Sequence, residues 1–339
     1  MNNQVLISII IVCYNYAHLL PRALEAIAKQ KFRDFEIVFV DNGCTDNSLG
    51  VMQTFSKDHP NIPVTYVIIE KNIGLAYGDN KGVEAAKGKY LMFHDADDWM
   101  DDNALQMLAD TAISANADRV IPAFRDVDMK GNTLQVQELG EIPNHWLYGL
   151  VQGNLFRSDL YKSLGIYTET LSPDIEKTFW FSSACERAAY VFTPCYNMLV
   201  HGDSTSRENS IYKRLLTDDS ISTIHLISLC MKRMPDKENK DYQIAVYELT
   251  RVYYGHIFRF LRYAPLYDTI KIYDSLHRQM KGLLPDYMAC TREALKNKKA
   301  TRPYGRRVAL LAYTLEKNHL MHCGLALYHY ISKIIYLRE

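Results

Sequence analysis

Tyr90-Leu91-Met92-Phe93-His94-Asp95-Ala96-Asp97-Asp98 is an apolar run that breaks directly into acids. Three earlier apolar runs also end in polar residues. Residues 7–12 lead to Tyr14-Asn15, residues 35–40 to Asp41-Asn42, and residues 65–69 to Asn72-Ile73-Gly74. Short apolar runs alternating with helical patterns predict an α/β fold with a mostly parallel sheet covered on both faces. In such open sheets, ligands bind beyond the carboxyl ends of the strands. The four polar clusters are therefore expected on one rim. That rim carries several carboxylates and no Gly-rich phosphate loop, which points to a metal that in turn holds phosphates.

Between the runs, helical signals are clear. After Asn15 a helix is expected to about residue 30, with Pro21 in its first turn and Leu20, Ala23, Leu24 and Ile27 on one face. Asp46 or Asn47 can cap the next helix. A helix over residues 75–86 ends at Lys87-Gly88, a C-cap signal. A helix over 103–115 and a strand over 119–124 close this half. Residues 125–210 are less regular: a hairpin turn at Met129-Lys130-Gly131-Asn132, loop and short helix over 146–165, loop then helix over 171–189, and a strand over 190–200. From residue 211 the pattern is helical, broken at Pro235, Pro265, Pro285 and Pro303. The expected organisation is a domain over 1–210, with halves over 1–124 and 125–210, followed by a helical domain over 211–339.

Composition narrows the classes. The 339 residues carry 39 Lys+Arg and 39 Asp+Glu, so formal net charge is zero and the basic footprint of a nucleic-acid binder is missing. Seven cysteines without a C-x-x-C pair argue for reduced thiols and a cytoplasmic location. The start of the chain lacks the features of a signal peptide, and no run reaches the roughly 18 apolar residues of a membrane span.

Two carboxylates at Asp95 and Asp97 can share one hard cation, and the first can also hydrogen-bond a ribose. The plainer alternative is an acid-rich helix start, since Asp97, Asp98, Asp101 and Asp102 all precede a helical pattern. Asp41, directly after the second run, can accept hydrogen bonds from a nucleoside, or it can organise an Asx-turn. Asp46 is expected to be structural and Asp41 to touch ligand.

Taken together, Ser8-Ile9-Ile10-Ile11-Val12-Cys13-Tyr14-Asn15, Asp41-Asn42-Gly43-Cys44-Thr45-Asp46-Asn47-Ser48, Asn72-Ile73-Gly74 and Asp95-Ala96-Asp97-Asp98 resemble the inverting glycosyltransferases of family 2. The resemblance covers residues 5 to about 210. It implies a Rossmann-like GT-A fold and a nucleoside-diphosphate sugar donor, a UDP-sugar first among candidates. Donor contacts implied by position are Val12, Tyr14, Asn15, Asp41, Asn72, Gly74, Asp79 and Asp95. The D-x-D pair implies Mn²⁺ or Mg²⁺ at Asp95 and Asp97. The family's Glu-Asp pair before a helix falls here on Ile175-Glu176, which makes Glu176 the expected base and Asp174 its understudy; both can instead simply cap the helix. His201-Gly202-Asp203-Ser204-Thr205-Ser206-Arg207 resembles the family's H-x-x-S-x-S stretch. His201 is a third metal ligand or a hydrogen-bonded loop histidine, and Arg207 closes over the diphosphate. The chain departs from the pattern at Asn42, where a second acid is usual, and at Asp79, where an Arg is usual.

The mechanism this implies is a single displacement with inversion, the base taking a proton from an acceptor hydroxyl. The acceptor is expected to be a glycan or lipid-linked glycan of a surface polysaccharide such as capsule, O-antigen or lipooligosaccharide. Trp146, Tyr148 and Trp180 stack on acceptor sugars or pack in the core. Lys296, Lys298, Lys299, Arg302, Arg306 and Arg307 precede an amphipathic stretch, which suits peripheral contact with an anionic membrane, while the plainer alternative is a solvated bundle or a homo-oligomer interface. Two other classes compete. A nucleotidyltransferase would want a Gly-rich phosphate loop after the first strand, and Cys13-Tyr14-Asn15-Tyr16-Ala17-His18 is none. A non-catalytic nucleotide-sugar or glycan-binding module remains open because Ile175 stands where the Glu of the Glu-Asp pair is usual.

Overall fold

The first two apolar runs are buried almost throughout, as unbroken β-branched stretches require: β1 (Ile7–Cys13) and β2 (Phe35–Asn42). A computed structural model describes residues 5–72, 74–140, 144–147, 150–165, 173–201, 223–261, 265–296 and 303–336. The further strands are β3 (Val64–Ile69), β4 (Tyr90–Phe93), β5 (Trp99–Met100), β6 (Arg119–Val127), β7 (Thr133–Gln137), β8 (Leu155–Arg157) and β9 (Ala188–Leu199). They form one sheet in the order β3-β2-β1-β4-β8-β6-β9-β5, with β7 on β6. The parallel character holds among the first four strands and for β6 with β9. β8 joins β4 to β6 antiparallel, so the sheet is mixed beyond β4. Three-residue β8 falls where loop and short helix were expected, since a strand that short leaves no alternation to read.

Helices cover both faces. On one side lie α1 (Leu20–Ala28), α2 (Ser48–Asp58) and α4 (Ala104–Ser114), packed on Ile7, Ile9, Ile11 and Phe39. On the other lie α3 (Leu75–Ala85), α5 (Ser158–Ser163) and α6 (Pro173–Ser182), packed around Ile10, Val38, Leu91 and Phe156. Helix α1 buries Leu20, Ala23, Leu24 and Ile27, the i, i+3, i+4, i+7 set the sequence predicts.

Glycines set how closely α3 approaches β1. A Cβ on Gly82 would stand 2.3 Å from Cγ2 of Ile10, and one on Gly78 2.5 Å from Cγ1 of Val12. Gly82→Val is expected to destabilise the fold by about 1–3 kcal/mol through overpacking. Chemical denaturation checks this, and an unchanged midpoint would mean that α3 is not seated on β1. Gly88 is no left-handed cap. It lies against β1, where a Cβ would meet the Ser8 amide nitrogen at 2.5 Å, and the neighbouring Lys87 N–H donates to Glu36 Oε1 (2.8 Å).

The described residues fall into two compact units, one within 5–139, 150–165 and 173–201, the other within 140–147 and 223–336. The expected boundary at 210 lies outside the described residues. The second unit is helical: α7 (Thr223–Met231), α8 (Tyr242–Leu261), α9 (Leu266–Leu283), α10 (Tyr287–Lys296), α11 (Pro303–Lys317) and α12 (Met321–Tyr336). Its core gathers Tyr247 of α8, Ala294 and Leu295 of α10 and Ala309 of α11. Of the basic run, Lys296 pairs with Glu293 (2.8 Å) and Arg306 Nη2 donates to the Leu295 carbonyl (3.0 Å), so part of that charge is engaged locally. Among the described residues no helix is long and apolar enough to cross a membrane.

Candidate active site

The ends of β1 and β2 form a tied pair of loops. Asn15, in the left-handed region at φ 61°, accepts through Oδ1 from the N–H of Thr45 (2.7 Å) and of Asp46 (3.3 Å). Its amide oxygen therefore braces the β2 loop. Asp46 accepts from Ala17 N–H (2.9 Å) and from Ser48 N–H (3.0 Å), the structural role expected of it. Asp41 Oδ1 accepts from Cys44 N–H (2.8 Å), an Asx-turn. Tyr14 stands 41% exposed at the rim, while Val12 is partly buried beneath α3.

The loop after β3 is drawn in by Asn42, whose Nδ2 donates to Asn72 Oδ1 (3.1 Å) and to the Gly74 carbonyl (3.2 Å). Gly74 N–H donates back to Asn72 Oδ1 (2.9 Å). At φ 99° and ψ 157° Gly74 occupies backbone space that side chains do not tolerate. Asn42 thus has a definite job where the family pattern usually places an acid.

The acids after β4 separate by partner. Asp97 Oδ2 lies 2.8 Å from His201 Nε2. Asp98 Oδ1 accepts from Leu199 N–H (2.8 Å). Asp101 takes Arg125 (2.9 Å) and Asn197 (2.9 Å). None of them lies in the first turn of α4, which starts only at Ala104, so the acid-rich helix start does not describe this cluster. Burial, followed by the charges of Asp98, Asp97, Asp174 and Asp79, pushes the Asp95 carboxyl well above the usual range. Burial and Asp97 do the same to Asp98. His94 is held down to about 4 by burial, so its imidazole is neutral.

Helix α6 supplies the other wall. Asp174 Oδ2 accepts from Gln152 Nε2 (3.0 Å), and its Oδ1 has no hydrogen-bond partner among the described residues. Glu176 is 2% exposed, deeper than Asp174. Asp79 is also buried, and its carboxylate pairs with Lys177. Asp79, expected as a donor contact, is thus engaged by Lys177: an acid on the face α3 turns to the core needs a cation, and α6 brings one. Arg207 and Tyr148 lie outside the described residues. Trp146 is buried and Trp180 packs against the core around Phe156, which is the packing role for both. Gln152, Lys177 and Tyr196, whose hydroxyl accepts from Asp95 N–H (3.2 Å), carry no motif. Only Lys177, which directly follows Asp174-Ile175-Glu176 on a buried helix face, leaves a trace in the sequence.

A carboxylate and an imidazole converging at Asp97 and His201, with the Asp95 carboxyl in a field of like charges, fit a hard divalent cation. Among the described residues no group of three or more His, Cys, Asp or Glu side chains forms a cage, so such an ion would complete its shell from phosphate and water.

Residues 8–168 match the profile of glycosyl transferase family 2. Similar proteins include the glycosyltransferase GlyG of Streptococcus pneumoniae serotype 4, 32% identical over 123 residues, 36% of this chain and 40% of that one. The chondroitin synthase of Escherichia coli is 25% identical over 207 residues, 59% of this chain and 30% of that one. The chain thus spans less than half the length of these two relatives. In structure it resembles residues 1–349 of TarS from S. aureus in complex with UDP-GlcNAc, with TM-score 0.55 and 18% identity over 87% of this chain and 92% of that one. Residues 8–168 thus form a domain that resembles glycosyl transferase family 2, and the fold is GT-A-like.

Proposed function

We propose that the protein transfers a sugar from a nucleoside-diphosphate donor, a UDP-sugar first, to a hydroxyl of a glycan or lipid-linked acceptor, with inversion. The observation that carries this reading is the Asp97–His201 contact beyond the carboxyl end of β4, beside an Asp95 that feels the charges of Asp97 and Asp174. Tyr14 offers an exposed ring for the base, and the second carboxyl oxygen of Asp41 a contact for the nucleoside. Asp174 is the preferred base because it is the less buried acid, its charge is felt at Asp95, and one of its oxygens lacks a hydrogen-bond partner among the described residues. It takes the proton from the acceptor hydroxyl as that oxygen attacks the anomeric carbon. Glu176, deeper in α6, shapes the wall behind it. When bound, Mn²⁺ or Mg²⁺ neutralises the departing diphosphate. The use of UDP is supported by the UDP-GlcNAc complex of the TarS fold relative. Surface-polysaccharide synthesis at the cytoplasmic face of a membrane is supported by the polymerising relative and by exposed apolar side chains on the last two helices, among them Leu327 and Tyr330 at 61% and 66%.

Melting temperatures across a panel of nucleoside diphosphates, with and without Mn²⁺, test the reading. Ligands that bind the folded state raise its stability. Stabilisation by UDP that requires Mn²⁺ is expected. A flat response to every nucleotide under both conditions counts against the Asp95–Asp97 assignment. Nucleotide binding without turnover on any acceptor would favour the binding-module alternative.

A further inference from the structure

We propose that the buried Lys177–Asp79 ion pair is a positioning strut that fixes the helix carrying Asp174 and Glu176 against the helix that closes the donor side of the site. The inference rests on the transferase reading above.

Both ends of the strut are anchored. Asp79 sits on α3, which Gly78 and Gly82 seat directly on β1 and whose preceding loop Asn42 holds through the Gly74 carbonyl. Lys177 on α6 is 0% exposed and Asp79 5%. The ammonium lies 4.6 Å from the centre of the Phe93 ring, on the strand that leads into Asp95. Residues three apart share a helix face, so Lys177 and Asp174 project from α6 on the same side, and the charge of Asp174 is felt at Asp79. The pair therefore joins the wall that holds the base to the wall that borders the donor loop, beside the strand that delivers the D-x-D acids.

Stability is a poor reason for such a pair. Desolvation offsets most of the attraction, and apolar replacement of both partners is often neutral, whereas removing one partner strands a buried charge. Geometry is the better reason, because small misplacement of a reacting group costs rate out of proportion to its size.

The test compares wild type, Asp79→Asn, Lys177→Met and the double variant, each assayed for melting temperature, UDP- and Mn²⁺-induced stabilisation, kcat and donor KM. Lys177→Met is expected to melt lower and to lose kcat. In the double variant, melting temperature and nucleotide-induced shift are expected to return to wild type. Its kcat is expected to stay about 10- to 100-fold down at unchanged donor KM. Recovery of kcat together with stability would reduce the pair to a structural contact and overturn the inference. Should the double variant not fold, Asp79→Asn decides. It keeps the shape and a neutral amide oxygen to accept from the Lys177 ammonium, so lowered kcat with an intact nucleotide shift supports the strut and wild-type kcat overturns it. A wild-type protein that binds UDP but transfers nothing would instead sink the transferase reading, and the strut with it.

Discussion

Asp97→Asn is expected to cut transfer about 10²- to 10³-fold, the usual cost of removing one group that stabilises developing charge. The fold should survive. Asp97 is partly exposed, and Asn keeps its shape and its ability to meet His201, now 2.8 Å away. What disappears is one negative charge, and with it the pull on a divalent cation. The variant should therefore also lose the Mn²⁺ dependence of its UDP-induced stabilisation, and chelation of the wild type by EDTA should reproduce both effects. Initial rates and melting curves with and without metal check this. A variant that transfers at the wild-type rate with unchanged Mn²⁺ dependence would show that Asp97 and His201 form only a hydrogen bond.

Asp174→Asn is expected to lower kcat by about 10²- to 10⁴-fold, the range for loss of a general base. Donor binding should persist, because the amide still accepts from Gln152 and the nucleoside side of the site is untouched. Glu176→Gln provides the comparison. Glu176 is buried, so its loss is expected to show first in melting temperature and only secondarily in kcat. Parallel measurement of kcat, donor KM and thermal stability separates the two. Near-normal turnover in Asp174→Asn with collapse in Glu176→Gln would exchange the roles and restore the assignment that family spacing implies.

The first half of the fold was legible because its signals are local. Residues 7–13 and 35–42 are buried strands that announce themselves by unbroken apolar runs, and α1 by four apolar residues at helical spacing beside Pro21. The meeting of the four strand-end clusters followed from parallel order alone. The Asx-turn at Asp41 and the bracing by Asp46 were also within reach, since both bonds span few residues or one loop pair. Less could be read where pattern is short. The three residues of β8 carry no periodicity, yet their pairing with β4 and β6 turns a parallel sheet into a mixed one.

By itself, then, the sequence determined the α/β class, the parallel order of the first four strands, and the presence of acids just beyond the carboxyl end of the fourth. Composition and period-2 or period-3.6 patterning act through neighbours along the chain, which is why these features needed no coordinates. Only the tertiary structure decided what each acid does. Asp97 meets His201 across 104 residues, Asp98 meets Leu199 across 101, and Asp79 meets Lys177 across 98. In the sequence these are interchangeable carboxylates. In the fold, burial compels each to find a donor or a cation, and β9 and α6 bring a different one to each. Which acid stays available for chemistry is settled by that distribution.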